Sequence, residues 1–178
     1  SAPGQWLASR LSTDKQVALL DTNNTRLAAT PFDEQDAQFQ PDGEYIAFIS
    51  NRSGQQELWL QQAGAAKRVS SGQDIRSFVW QQDGKAIWTL GAEHINNQQF
   101  AAQPQRLMPA DGLEVLLQHI STSAGEFLLA LNKSAQLMLI DVNRQTQQQL
   151  FSGAVHWAQL SNSGQVFVAT PDSPGIKL

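Results

Sequence analysis

The chain has 178 residues, 41% of them hydrophobic, with five Trp, eight Phe, no Cys and a formal net charge of −4. That is enough apolar material for a core, and scattered basic residues, with Lys67-Arg68 the only adjacent pair, leave no nucleic-acid footprint. Without cysteine there is no disulfide framework, thiol nucleophile or Cys-based zinc site, and no apolar run reaches the length of a membrane span.

In chain order, Gly4 is followed by the apolar run Trp6-Leu7-Ala8, a third-strand pattern at 17–20, a polar turn at 21–24 and a more polar strand at 25–27. The next period is the sharpest. A strand ending at Phe39 meets the turn Pro41-Asp42-Gly43, where Pro41 suits a φ near −65° and Gly43 supplies the positive φ of a tight hairpin. A strand at 45–49 follows, apolar at consecutive positions and therefore covered on both faces, then the polar turn Asn51-Arg52-Ser53-Gly54 and a strand at 58–60. The third period has strands at 78–80 and 86–88 around Gly84; from Gly91 to Leu107, with Asn96-Asn97-Gln98-Gln99 and Pro104, the pattern decays and predicts a longer loop with weak or displaced strands. The fourth has apolar segments at 119–120, 127–131 and 137–140, a turn at 141–144 and a polar strand at 147–150. The last has strands at 157–160 and 166–169 around Gly164. No stretch carries a capped helical period.

The turn glycines Gly4, Gly43, Gly84, Gly125 and Gly164 are spaced by 39, 41, 41 and 39 residues. Small antiparallel sheets of four strands, repeating about every 40 residues with inner strands covered on both faces, describe β-propeller blades, since each blade buries its two apolar faces only against neighbours. Residues 1–178 are thus expected to be a single all-β propeller domain. A second strand falls at both ends of the chain, which predicts an incomplete arc of a larger propeller. Such an arc leaves blade faces uncovered and predicts a tendency to associate, a homodimer through open blade edges being one outcome.

The stretch Phe39-Gln-Pro-Asp-Gly43, Tyr45-Ile-Ala-Phe-Ile49, Asn51-Arg-Ser-Gly54 and Glu57-Leu-Trp-Leu60 resembles the repeat of the TolB-type, WD-related β-propellers. In that family a W/F-S-P-D-G turn precedes an I-A-F-x-S strand, an N/D-R-x-G turn and an E-I/L-Y/W strand; Gln40 stands here for the usual Ser. Trp80-Gln-Gln-Asp-Gly84, Ser123-Ala-Gly125, Asn162-Ser-Gly164 and Leu139-Ile-Asp-Val-Asn143 are fainter copies. The resemblance implies a non-catalytic binding or sensing module of a bacterial envelope protein, working in the periplasm on a protein partner or small ligand. One setting is the sensory domain of a CadC-like membrane-bound transcriptional regulator, with its DNA-binding domain and membrane helix elsewhere. Others are a TolB-like protein-binding propeller and the gating propeller of a prolyl-oligopeptidase-type serine peptidase.

The residues themselves offer no catalytic constellation, and neither cofactor nor metal site is expected. There is no Gly-x-Ser-x-Gly. His94, His119 and His156 fall in different repeats without metal-ligand spacing; His119 and His156 lie in or near first strands, where they either line a channel or pack between blades. Asp42 and Asp83 are expected to accept backbone N–H bonds in their turns, with Ca²⁺ binding the rarer alternative. Asp33, Glu34 and Asp36 read as a solvated connection rather than a cation site, and Asn51-Arg52 as turn structure. Trp6, Trp59, Trp80, Trp88 and Trp157 fall on strands and are expected in the inter-blade core.

Overall fold

The computed structural model describes residues 6–10, 16–20, 31–41, 43–100 and 103–171. Among these, sixteen strands form five antiparallel sheets in which every strand pairs with its neighbour in sequence. The first sheet holds β1 (Trp6–Arg10) and β2 (Gln16–Leu20). The second holds β3 (Glu34–Phe39), β4 (Ile46–Ser50), β5 (Glu57–Gln62) and β6 (Ala65–Arg68). The third holds β7 (Ser77–Trp80), β8 (Ala86–Leu90), β9 (His94–Gln99) and β10 (Gln105–Pro109). The fourth holds β11 (Leu113–Thr122), β12 (Gly125–Asn132), β13 (Leu137–Asp141) and β14 (Thr146–Phe151), and the fifth β15 (Trp157–Leu160) and β16 (Val166–Ala169). The strand expected at 25–27 lies outside the described residues.

The repeat glycines Gly43, Gly84, Gly125 and Gly164 stand at the first hairpin of the second to fifth sheets. Gly43, Gly84 and Gly164 have φ of 79°, 71° and 82°, and each donates its N–H to the carbonyl three residues earlier, on Gln40, Gln81 and Ser161. The second turn of the sharpest repeat is held differently. Arg52 lays its guanidinium over the rings of Phe48 and Trp59, 5.1 and 4.8 Å from their centroids, and pairs with the buried carboxylate of Glu34. Asn51 meanwhile exchanges bonds with Asp33, accepting its N–H at 3.1 Å. This corrects the expectation for Glu34: it is an ion-pair partner buried in β3, not part of a solvated connection, because the Arg52 turn folds back onto the start of the blade.

The third period also differs from expectation. The segment read as a longer loop contains two paired strands, β9 and β10. Three consecutive amides of β9, Asn96, Asn97 and Gln98, are buried. Asn96 is anchored on Gln73 Oε1, which also accepts from Thr89 Oγ1 at 3.1 Å. A buried amide such as Asn96 can find its partner on a side chain from outside the sheet, and no hydropathy pattern reveals that.

Strands β7 and β8 are buried at every residue, whereas β6 and β14 are exposed at every residue. First strands therefore lie innermost and fourth strands at the rim, and β3 touches β7, β7 touches β11 and β11 touches β15. Three apolar seams fill the spaces between successive sheets: Ile49, Leu58, Phe78 and Ile87 between the second and third; Val79, Trp88, Leu116 and Leu128 between the third and fourth; Ile120, Leu129, Ala158 and Leu160 between the fourth and fifth. Each fully buried side chain of this size contributes about 1.5–3 kcal/mol. The sheets follow one another without closing, as an incomplete propeller arc.

Candidate functional site

Besides apolar contact, a polar side chain on each described first strand from the second to the fourth sheet reaches the backbone of the next first strand. Gln38 Nε2 donates to the Phe78 carbonyl at 2.8 Å. Ser77 Oγ accepts the Leu116 N–H at 3.1 Å and donates to the Leu116 carbonyl at 3.3 Å. Gln118 spans the same pair of groups on Leu160, donating to its carbonyl at 3.0 Å and accepting its N–H at 2.8 Å. These clamps satisfy edge groups of the innermost strands that no sheet partner reaches. They also give a structural use to two of the chain's 24 glutamines, Gln38 and Gln118.

The fifth sheet carries the same device with nothing on it. Gln159, like Gln38, stands five residues before its turn glycine. In the register of β15 with β16, Ala158 and Leu160 turn toward the fourth sheet and are buried, so Trp157 and Gln159 turn away from it. Phe167, directly opposite Gln159, shares that outward side. Trp157 is 48% and Phe167 57% exposed. Trp157 is thus not inter-blade core as the sequence pattern suggested, because among the described residues no further sheet covers this face. Around the corner, Phe127, Leu139, Leu150, Leu160 and Val166 line an apolar cavity of about 370 Å³ between the fourth and fifth sheets. Large apolar side chains gathered at an uncovered sheet are the mark of an interaction surface.

The other residues singled out in the sequence do not converge. His94 opens β9 beside Glu93, His119 lies in β11, and His156 is exposed just before β15, so the three belong to different sheets. His119 is buried, its ring stacked on Trp88 with centroids 6.1 Å apart, and its Nδ1 accepts the N–H of Gln82 at 3.1 Å. Burial pushes its pKa below the ordinary value, and the Asp83 charge opposes this in part. The neutral ring therefore carries its proton on Nε2, which has no partner. Asp83 accepts the Lys85 N–H at 3.0 Å, the turn role expected of it; Asp42 lies outside the described residues. Among the described residues no group of three or more His, Asp or Glu is placed to hold a metal ion, and no helix is long and apolar enough to cross a membrane. Trp80 and Trp88 are core, Trp59 lies under Arg52, and the side chain of Trp6 is not described.

No family model and no curated protein matches the sequence. Among solved structures, TolB from Acinetobacter baumannii aligns with a TM-score of 0.70 at 16% identity, over 95% of this chain and 47% of that one. A putative TolB from Agrobacterium tumefaciens aligns at 0.65 and 12%, over 93% and 69%. The fold is that of a TolB-type β-propeller. The chain spans about half the length of the Acinetobacter protein. A more distant likeness is to oligogalacturonate lyase from Vibrio parahaemolyticus, at 0.52 and 11% over 82% of this chain and 46% of that one.

Proposed function

We propose that this chain is a non-catalytic binding propeller of a bacterial envelope protein, working in the periplasm, and that the outward face of its fifth sheet takes a protein partner. The observation that carries the reading is Gln159 standing between Trp157 and Phe167, with its amide unbonded and both rings exposed. In the seams of this molecule such an amide grips the peptide group of an adjoining strand. The partner that fits is a β-sheet whose edge strand offers a carbonyl and an N–H to Gln159 and apolar side chains to the two rings. The lyase neighbours are enzymes; here no group of three or more His, Asp or Glu among the described residues is placed to hold a metal ion, and a binding role accounts for the exposed rings of the fifth sheet.

The test is the solution mass of the chain by light scattering, together with photo-crosslinking from position 167 in the cell envelope. A dimer that falls to monomer in the variant Trp157→Asp/Phe167→Asp makes the partner a second copy. A monomer that crosslinks to one envelope protein, and loses the crosslink in Gln159→Leu, makes it a different chain. A monomer that crosslinks to nothing ends the reading.

The finer proposal, a sensory domain of a membrane-bound transcriptional regulator, rests on the repeat's resemblance. It requires a DNA-binding winged helix and one membrane span on the same polypeptide. A hydrolase domain with Gly-x-Ser-x-Gly there would replace it with the peptidase-gating role.

A further inference from the structure

The outermost strands of the three four-stranded sheets treat their open edges differently. Alternate residues of an edge strand turn an N–H and a C=O outward, and folded proteins blunt such an edge with charge, proline or a bulge. β6 is four residues long and ends on Lys67 and Arg68. β10 carries Arg106 and Pro109, with a break in register between Arg106 and Met108. β14, Thr-Gln-Gln-Gln-Leu-Phe, has neither charge nor proline, and its irregularity falls at Leu150, after the three glutamines. It is exposed at every residue, and among the described residues no strand lies beyond it.

The side chains of β14 define what would pair with it. Gln148 stands opposite Leu139, and Gln147 and Gln149 opposite Ile140 and Met138, so the three amides alternate between the two faces of the sheet. A charged partner strand would find no counter-charge on them. A primary amide both donates and accepts, so two glutamines facing each other are complementary, whereas two like charges repel. Glutamine is therefore suited to meet itself. In an antiparallel pairing of β14 with a second β14, about a two-fold axis through Gln148, that residue faces its own symmetry mate. Gln147 of each copy then faces Gln149 of the other. No other antiparallel register sets all three glutamines against glutamine. In β6 the basic pair is half of the strand, and the same operation would crowd like charges.

We infer that the open edge of β14 pairs with β14 of a second copy of this chain, joining two blades into one eight-stranded sheet. The two-fold uses the same edge on both copies, so the assembly stops at two. The contact involves none of Trp157, Gln159 and Phe167, and it stands or falls without the face of the fifth sheet.

The experiment is run on the variant Trp157→Asp/Phe167→Asp, in which that face is silenced. Light scattering at rising concentration should show its mass climbing toward twice that of the monomer. Adding Gln148→Lys sets two like charges on the axis and should raise the dissociation constant about tenfold. The position is exposed, so the substitution leaves the blade's packing alone. The register is read separately, because the chain has no cysteine of its own. Under oxidised glutathione, Gln148→Cys should form a disulfide dimer and Gln149→Cys alone should form little. Gln147→Cys mixed with Gln149→Cys should form the mixed dimer. A monomer at every concentration, a mass unmoved by Gln148→Lys, or crosslinking at position 148 no faster than in Lys67→Cys overturns the assignment. A thiol at position 148 that couples to another envelope protein and not to its own copy gives the edge to a foreign strand, and overturns it too.

Discussion

The third and fifth sheets carry the same repeat and have opposite surroundings. In the third, β7 and β8 are buried at every residue between two neighbours. In the fifth, β15 alternates exposed and buried while β16 is largely open, because among the described residues only the fourth sheet lies against it. Trp80 and Trp157, each on a first strand, end at 7% and 48% exposure. The comparison teaches that in a propeller burial belongs to the seam rather than to the blade. An apolar residue on a strand is core only where a second sheet arrives.

The widest contrast should appear on truncating one aromatic ring on each sheet. Phe78→Ala removes a ring that is 0% exposed in the seam between the second and third sheets, and should cost about 3–5 kcal/mol in urea unfolding. Phe167→Ala removes a ring that is 57% exposed and should stay within about 0.5 kcal/mol. A large cost at Phe167 would break the comparison, showing that the fifth sheet is covered in solution.

The clamps provide a second contrast. Gln118→Leu leaves the N–H and carbonyl of Leu160 without their side-chain partner and should cost about 1–3 kcal/mol. Gln159→Leu breaks no such bond and should leave unfolding unchanged while abolishing the crosslink from position 167. Equal destabilisation by both would mean that Gln159 is already engaged.

A smaller contrast lies in the turns. Gly84→Ala and Gly164→Ala both force an L-residue into left-handed backbone, at about 1–2 kcal/mol each. At Gly84 the new Cβ would also meet Gln40 Cγ at 3.3 Å, from the second sheet, whereas at Gly164 it meets nothing within 4 Å. Gly84→Ala should therefore be the worse of the two by thermal melting, and equal melting temperatures would show that Gln40 yields without cost.

The glycine period made the architecture legible, because a tight hairpin needs positive φ and the four described repeat glycines all have it. It could not disclose which faces find a neighbour. That is why Trp157 read as core: it stands among apolar residues, Ala158 and Leu160, on a first strand, as Trp80 stands beside Phe78 and Val79. The Asn96-Asn97-Gln98 stretch was hidden for a different reason. Its burial depends on Gln73 from the connection before β7 and on the fourth sheet beside it, contacts that composition does not record. The clamps of Gln38, Ser77 and Gln118 carry no sequence signal of their own, Gln38 and Gln118 being two of the chain's 24 glutamines. Gln38 and Gln159 occupy one place relative to their glycines, and the role of that place emerges only when the next strand's peptide group is seen against it.

The smallest effect expected is on pH dependence, and it bears on the third and fourth sheets alone. Burial in their seam holds the pKa of His119 below its ordinary value of 6.5, with the Asp83 charge working against it. The unfolded chain then binds the proton more readily than the folded one. Stability from this group is fully present above the unfolded value, and is lost as pH falls below about 6.5 and through the folded pKa. Urea midpoints compared between pH 7.5 and about pH 5 should fall more steeply for the parent than for His119→Gln, which cannot titrate. Parallel slopes would mean that the imidazole accepts its proton without leaving the seam, and that Trp88 is held there by packing rather than by a neutral ring.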